Sequence, residues 1–302
     1  MTGWAAEDMP ALHERGAIVT GTGGIGLEAA KALAGAGAEV TIAGRNAAKG
    51  AEALRLIRAA HPQASVTFEM LDLASLASVA AFAERIQAHR KSVDILINNA
   101  AVMTPPVRQL SADGFELQFA TNYLGHFALT MRLLPMLRLA SAPRVVSLSS
   151  LAARRGRLDF ADLNAESRYS AFGAYAQSKL ACLMFALELQ RRSDAEGWGI
   201  ASFCAHPGIA RTDLFHSAPG RRSPTSLVRS VLWFLFQPVE QAALPLLFAA
   251  TAPMATSDRY FGPSGFFETC GTPGQAKIPD MALDQAAAER LWQVSARLAG
   301  TG

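Results

Sequence analysis

Short apolar runs alternate with amphipathic stretches along most of the chain, the pattern of βαβ units that build a parallel sheet. Ala17–Thr20 predicts a first strand and Ile25–Leu33 the helix after it, closed by Gly35 and Gly37. Val40–Ala43 predicts a second strand, followed by a helix over Ala47–Ala60 that stops before His61-Pro62. Ser65–Leu71 and Ile95–Asn98 read as further strands, separated by a helix over Leu76–His89. Phe115–Leu137 is one long helical stretch with a kink expected at Pro135. A strand over Val145–Leu148, a helix over Tyr175–Arg192 and a strand over Ile200–Ala205 follow. No repeat or linker breaks the series, so residues 1–302 are expected to form one doubly wound α/β domain, with 1–14 as an N-terminal extension. Residues 151–174 and 212–237 interrupt the alternation, and each follows a strand. Ligands of such sheets sit outside the carboxyl ends of the strands, which makes both segments candidate covers for a substrate.

Composition narrows the class. Half of the 302 residues are hydrophobic, enough for a sizeable core. The net charge is +3, and the basic residues are dispersed apart from small clusters at Arg154-Arg155, Arg191-Arg192 and Arg221-Arg222, which argues against a nucleic-acid partner. Cys182, Cys204 and Cys270 have neither metal-ligand spacing nor the pattern of a disulfide framework, so no metal and a reduced, cytoplasmic compartment are expected. Met1 to Pro10 lacks the apolar run of a secretory signal. No stretch reaches the length of a membrane span, and the most lipid-like piece, Val231–Phe236, is too short to cross a bilayer.

Two constellations carry chemistry. In Tyr175-Ala-Gln-Ser-Lys179 the Tyr and Lys lie four apart, on one face of a helix. An ammonium one turn from a phenol favours the phenolate, which turns a poor general acid/base into a usable one. The bland alternative is an ordinary Tyr and Lys on a surface helix. Gly21-x-Gly23-x-x-Gly26 lies between a strand and a helix, the context in which glycines let backbone approach a pyrophosphate and a helix N-terminus offers free N–H groups. At the end of the second strand an acid would accept from a ribose 2′-hydroxyl, whereas an Arg suits a 2′-phosphate. The chain has Ala43-Gly-Arg45-Asn46: Gly44 leaves room, and Arg45 is a planar, always-charged phosphate partner, so NADP(H) is expected over NAD(H). The alternative is a solvent-exposed Arg beginning a helix.

Thr20-Gly-Thr-Gly-Gly-Ile-Gly26, Arg144-Val-Val-Ser-Leu-Ser-Ser150 and Tyr175 with Lys179 together resemble the short-chain dehydrogenase/reductase family, whose domain is of the Rossmann type. Asn122-Tyr-Leu-Gly-His-Phe127, His206-Pro-Gly and the spacer from Arg155 to Ser170 resemble its retinol-dehydrogenase-like branch, and Trp4 to Pro10 resembles bacterial members. The resemblance implies a catalytic set of Ser150, Tyr175, Lys179 and Asn122. Ser150, rather than its neighbour Ser149, orients the substrate carbonyl. Tyr175 exchanges the proton, Lys179 holds the nicotinamide ribose, and Asn122 binds a water linking Lys179 to solvent. A different reading of Asn122 is an Asn paired with backbone at a helix kink.

The same resemblance assigns cofactor contacts to the turn Gly21, Gly23, Gly24, Ile25 and Gly26, to Arg45 and Asn46, and to Asp72 with Leu73. It adds Asn99, Ala100 and Ala101, Tyr175 and Lys179 themselves, and Pro207, Ile209 and Thr212. Asp72 accepts from the adenine amino group or belongs to the N-cap of the next helix. His206 by itself reads as structural. The glycine turn is one residue shorter than the family pattern: it either closes differently, using Gly23, or binds phosphate poorly. Residues 212–237 are expected to be a substrate lid. There Phe215, Leu227, Val231, Trp233 and Phe234 line an apolar pocket, pack into a core or dimer contact, or touch a membrane surface.

The expected activity is NADP(H)-dependent interconversion of a carbonyl and an alcohol on an apolar, bulky small molecule. The rivals are a dinucleotide-binding sensor with little turnover and a carbon–carbon double-bond reductase. Pairing into a homodimer is expected to use the helices at 115–137 and 175–192.

Overall fold

In the computed structural model the described residues are 3–209, 237–256 and 260–301. β1 (Gly16–Thr20) is buried at all of its positions. It lies between β2 (Glu39–Gly44) and β4 (Ile95–Asn98) in an eight-stranded sheet of order β3-β2-β1-β4-β5-β6-β7-β8. β3 is Val66–Met70, β5 Arg144–Leu148, β6 Ala201–Ala205, β7 Tyr260–Pro263 and β8 Pro273–Gln275. All neighbours run parallel except β7 and β8. The expected doubly wound, mainly parallel α/β domain is therefore present.

The strands read as apolar runs because both faces of the sheet are covered. Ile18, Leu96 and Val145 point into one core, with α3 (Leu76–His89), α4 (Gly125–Leu137), α5 (Ala171–Glu196) and α7 (Gln285–Ala299). Their neighbours Ala17, Val19, Ile95, Ile97 and Val146 point into the other, with α1 (Gly24–Gly35), α2 (Ala47–Ala60) and α6 (Val239–Thr251). The N-terminal extension packs onto this second layer, with the Trp4 ring edge-on to Phe248 and Leu12 N–H donating to Ala36 O at 2.8 Å.

The first six strands and the first three helices stand within two residues of their sequence positions. Three differences have physical causes. The stretch 115–137 is not one α-helix: Phe119–Leu124 is a π-helical segment leading into α4, which runs through Pro135 to Leu137. The irregularity lies at Phe119–Leu124, which contains Asn122, and not at the proline. α5 begins four residues before Tyr175, because the Ser170 side chain caps it by accepting from Gly173 N–H. It runs past Arg192 until Gly197 terminates it at φ 65°. α6 and the short β7–β8 pair were not predicted as elements: α6 carries an internal Pro245 and is apolar on most sides, and β8 is only three residues long. α7 lies across α4 and α5. There Trp292 stacks on Phe185, ring centres 5.8 Å apart, and the Tyr123 and Ser295 hydroxyls are 2.7 Å apart.

Candidate active site

The glycine turn, the segments after β2 to β6 and the Tyr175–Lys179 pair come to one edge of the sheet, the carboxyl ends of β1 to β6, where the strand order reverses between β1 and β4. The shortened glycine turn closes with two left-handed glycines, Gly21 at φ 100° and Gly24 at φ 54°. Gly21 N–H donates to Ala43 O at 2.7 Å, and Gly23 serves as the N-cap of α1 in extended geometry with no side-chain cap. A Cβ on Gly23 would meet nothing within 4 Å, whereas one on Gly26 would lie 2.4 Å from Asn99 Nδ2 and 2.9 Å from Gly21 O. Gly26 thus admits Asn99, which donates from Nδ2 to Thr20 O at 2.7 Å, and Gly23 leaves an open cradle above the free N–H groups of α1. Ile25 faces the core. The room at Gly44 is taken by Thr22, whose methyl group would be 2.8 Å from a Cβ there. Gly44 is needed for the turn itself.

Around this turn, Arg45 is exposed and Asn46 caps α2, its Oδ1 accepting from Lys49 N–H at 3.0 Å. Asp72 Oδ1 accepts from Ala74 N–H at 3.0 Å, while the N-cap of α3 is Ser75. Leu73 is buried, its carbonyl in the space a Cβ on Gly125 would need. Asn99 and Ala100 N–H both donate to Thr20 Oγ1, at 2.9 and 3.0 Å, and Ala101 is half-buried beside them.

The two adjacent serines differ sharply. Ser149 is buried and its hydroxyl donates to Lys179 O at 2.7 Å. Ser150 is half-buried. Its Oγ accepts from Ala152 N–H at 3.2 Å and caps the short helical turn Leu151–Arg155, which leaves the hydroxyl proton uncommitted among the described residues. Tyr175 is half-buried on the second turn of α5. Lys179 is buried one turn on, with Nζ 5.9 Å from the centre of the Tyr175 ring and donating to Leu148 O at 2.8 Å. The helix register therefore brings Tyr175 and Lys179 to the strand end that carries Ser150.

The Asn122 side chain is paired within the helix irregularity that its second reading described. Its side chain pairs with backbone, Oδ1 accepting from Val102 N–H at 2.8 Å and Nδ2 donating to Val102 O at 3.0 Å, and it also reaches Ser178 Oγ at 3.0 Å. Its main-chain carbonyl accepts from His126 Nδ1–H at 2.9 Å and Cys182 Sγ–H at 3.1 Å. His126 Nε2 must then accept, and the Thr20 hydroxyl 2.8 Å away is the donor. Burial pushes the His126 imidazole down to about 4, against a smaller upward pull from the Asn122 bond, so it is neutral. Thr20 and His126 belong to the site although their roles were not read from sequence. Both lie inside motifs that were.

At the end of β6, Pro207–Ile209 is held from outside: Gln237 Nε2 donates to Pro207 O, and Ile209 N–H donates to Thr269 O at 2.9 Å. His206 is fully buried. Thr212 and residues 212–236 of the expected lid 212–237, with Phe215, Leu227, Val231, Trp233 and Phe234, lie outside the described residues, as does the Arg221-Arg222 pair.

This arrangement decides the family together with one comparison: a family model described as short chain dehydrogenase matches residues 15–222. The chain belongs to the short-chain dehydrogenase family. It is 41% identical over 301 residues to the polyprenol dehydrogenase of Mus musculus, covering 97% of this chain and 86% of that one. It is 39% identical over 306 residues to retinol dehydrogenase 13 of Homo sapiens, covering 99% and 89%. Among solved structures, an uncharacterised protein from Mycobacterium paratuberculosis superposes with TM-score 0.81 at 37% identity, over 99% of this chain and 98% of that one. A short chain dehydrogenase from Shigella flexneri complexed with NADP does so with TM-score 0.64 at 25% identity, over 83% and 97%. The chain is thus an oxidoreductase of this family, close to its retinol dehydrogenases. Among the described residues no helix is long and apolar enough to cross a membrane.

Proposed function

We propose that this short-chain dehydrogenase interconverts a carbonyl and an alcohol with NADP(H), on an apolar and bulky small molecule. The observation that carries the reading is the convergence at one strand edge of Ser150, whose hydroxyl proton is uncommitted among the described residues, with Tyr175 and Lys179 on successive turns of α5. The fit for a dinucleotide rests on the open cradle at Gly23, the uncapped start of α1 and the exposed Arg45 beyond it. Gly21 to Gly26 would hold the pyrophosphate, Arg45 the 2′-phosphate, Asn99 to Ala101 the ribose side, and Pro207–Ile209 with Thr212 the nicotinamide amide. When bound, the dinucleotide supplies or accepts the hydride.

The protein's own residues do the rest. Ser150 donates to the substrate oxygen and orients it. Tyr175 delivers the proton to that oxygen as alkoxide character develops, or removes it in the reverse direction. The Lys179 ammonium lies one helical turn on, Nζ 5.9 Å from the centre of the phenol ring, where it can hold the nicotinamide ribose. Asn122 binds a water that links Lys179 to solvent, and its bonds to Val102 and Ser178 hold the π-helical segment before α4 in place. The apolar substrate class is supported by the relatives whose names are polyprenol and retinol dehydrogenases.

The test is fluorescence titration with NADPH and NADH, followed by assay against apolar ketones, aldehydes and allylic alcohols. Tighter NADPH binding and formation of an alcohol from a ketone are expected. Saturation of a carbon–carbon bond instead, or binding with no turnover of any of these, overturns the proposal.

A further inference from the structure

Glu268 stands outside every motif of the sequence, yet one of its carboxylate oxygens joins the two ends of the site. Oε2 receives Arg154 Nη2 at 2.5 Å and lies 2.9 Å from His206 Nε2. The other oxygen, Oε1, accepts from Lys277 N–H at 3.1 Å. Arg154 belongs to the turn that Ser150 caps, and His206 is the first residue after β6, directly before Pro207–Ile209. Gly208 N–H donates to His206 Nδ1 at 3.2 Å, so the Nε2 atom carries the proton and donates to Glu268.

The surroundings are shaped for this bridge. A Cβ on Gly262, in the neighbouring strand β7, would fall 2.1 Å from His206 Nε2, so only glycine admits the ring there. Gly208, at φ 65°, passes under Thr269 O, 2.3 Å from where its Cβ would be. Phe267 and Glu268 themselves are left-handed at φ 48° and 58°, a strained conformation for two consecutive residues that are not glycine. Burial works to raise the Glu268 carboxyl, but the bonds from His206 and Lys277 and the charge of Arg154 outweigh it and hold it at about 2. The bridge is thus an anion accepting three donors.

We propose that Glu268 is a positioning residue: by holding Arg154 and His206 with one carboxylate, it sets the spacing between the Ser150 turn and the Pro207–Ile209 segment. This rests on the reading of those two segments given above. A serine that orients the substrate and a loop that orients the nicotinamide must keep a fixed separation, because a displacement of about 1 Å at a reacting centre costs on the order of 100-fold in rate.

Glu268→Gln and Arg154→Met are compared with the unaltered protein in two measurements. The first is hydrogen exchange of the free protein at Ala153 and Gly156 on one side and Gly208 and Ile209 on the other. Both sets are expected to lose protection together in Glu268→Gln, with β1 to β3 unchanged. Loosening of one set only, or of neither, overturns the proposal whether or not the protein turns over any substrate. The second is steady-state kinetics with NADPH and a ketone accepted by the unaltered protein. kcat is expected to fall on the order of 10–100-fold in both variants, with dinucleotide affinity held within about threefold. An unchanged kcat in either folded variant overturns the proposal. If the unaltered protein itself turns over no ketone, the functional reading fails, and the exchange result decides the bridge alone.

Discussion

The Thr20 hydroxyl and His126 Nε2 lie 2.8 Å apart across 106 positions of sequence, and through them the end of β1 is hydrogen-bonded to the carbonyl of Asn122. Thr20 also receives the Asn99 and Ala100 amides, so a single hydroxyl gathers β1, the end of β4 and the start of α4.

This gives a pH dependence with a definite sign. The His126 imidazole is held at about 4 in the folded protein, below its ordinary value of 6.5. Between these values the unfolded chain takes up a proton that the folded protein refuses. Stability is therefore full above about pH 6.5 and falls as pH drops towards 4, by roughly 3 kcal/mol from this group. His206 is also lowered by burial and adds loss in the same direction. Urea midpoints from pH 7.5 to 4.5 should show this slope, and His126→Gln should flatten part of it. An equal slope in the variant would place the titration elsewhere.

Tyr175→Phe removes the proton donor and keeps the ring. kcat should fall about 10²- to 10⁴-fold, while fluorescence titration should give an NADPH affinity close to that of the unaltered protein. Comparable loss of binding would assign the phenol to the cofactor instead.

Arg45→Asp tests how the dinucleotides are told apart. Arg45 is exposed at the end of β2, and replacing it should lower NADPH affinity by about 10- to 100-fold, the worth of a charged hydrogen bond. NADH affinity should rise or hold. If the ratio does not move, the 2′-phosphate is recognised at another position.

Gly23 and Gly26 should separate binding from folding. Gly26→Ala drives a methyl group into Asn99 and the Gly21 carbonyl, so thermal unfolding should show a loss of roughly 1–3 kcal/mol. Gly23→Ala meets no neighbour and should cost less than about 1 kcal/mol. Its methyl group would instead fill the cradle, and dinucleotide affinity should fall several-fold in a protein of nearly unchanged stability.

α7 lies on α4 and α5, the helices expected to pair two copies, with Trp292 against Phe127 and Phe185 and beneath Arg192. Light scattering should give the mass of one chain. Trp292→Ala should cost about 3–5 kcal/mol, as for other large core truncations. A stable dimer in the unaltered protein would require another surface.

The alternation of apolar runs and amphipathic stretches determined the first six strands and the first three helices, and the four-residue spacing set Tyr175 and Lys179 on one helix face, because those signals are local; Ser150 was preferred to Ser149 only through the family resemblance. Asn122 shows the limit. Its contacts were not legible in sequence, because Val102 reaches its amide, and His126 and Cys182 its main-chain carbonyl, only in the tertiary structure. Gly44 likewise looked like spare room until Thr22 was folded onto it. The α6 helix and the β7–β8 pair lacked a period of their own, since burial on most sides and internal prolines and glycines erase the amphipathic pattern. Glu268 had no local signal at all. Its partners Arg154 and His206 are 114 and 62 residues away in sequence, and such a bridge exists only when three separate strand ends have already been brought to the same edge of the sheet.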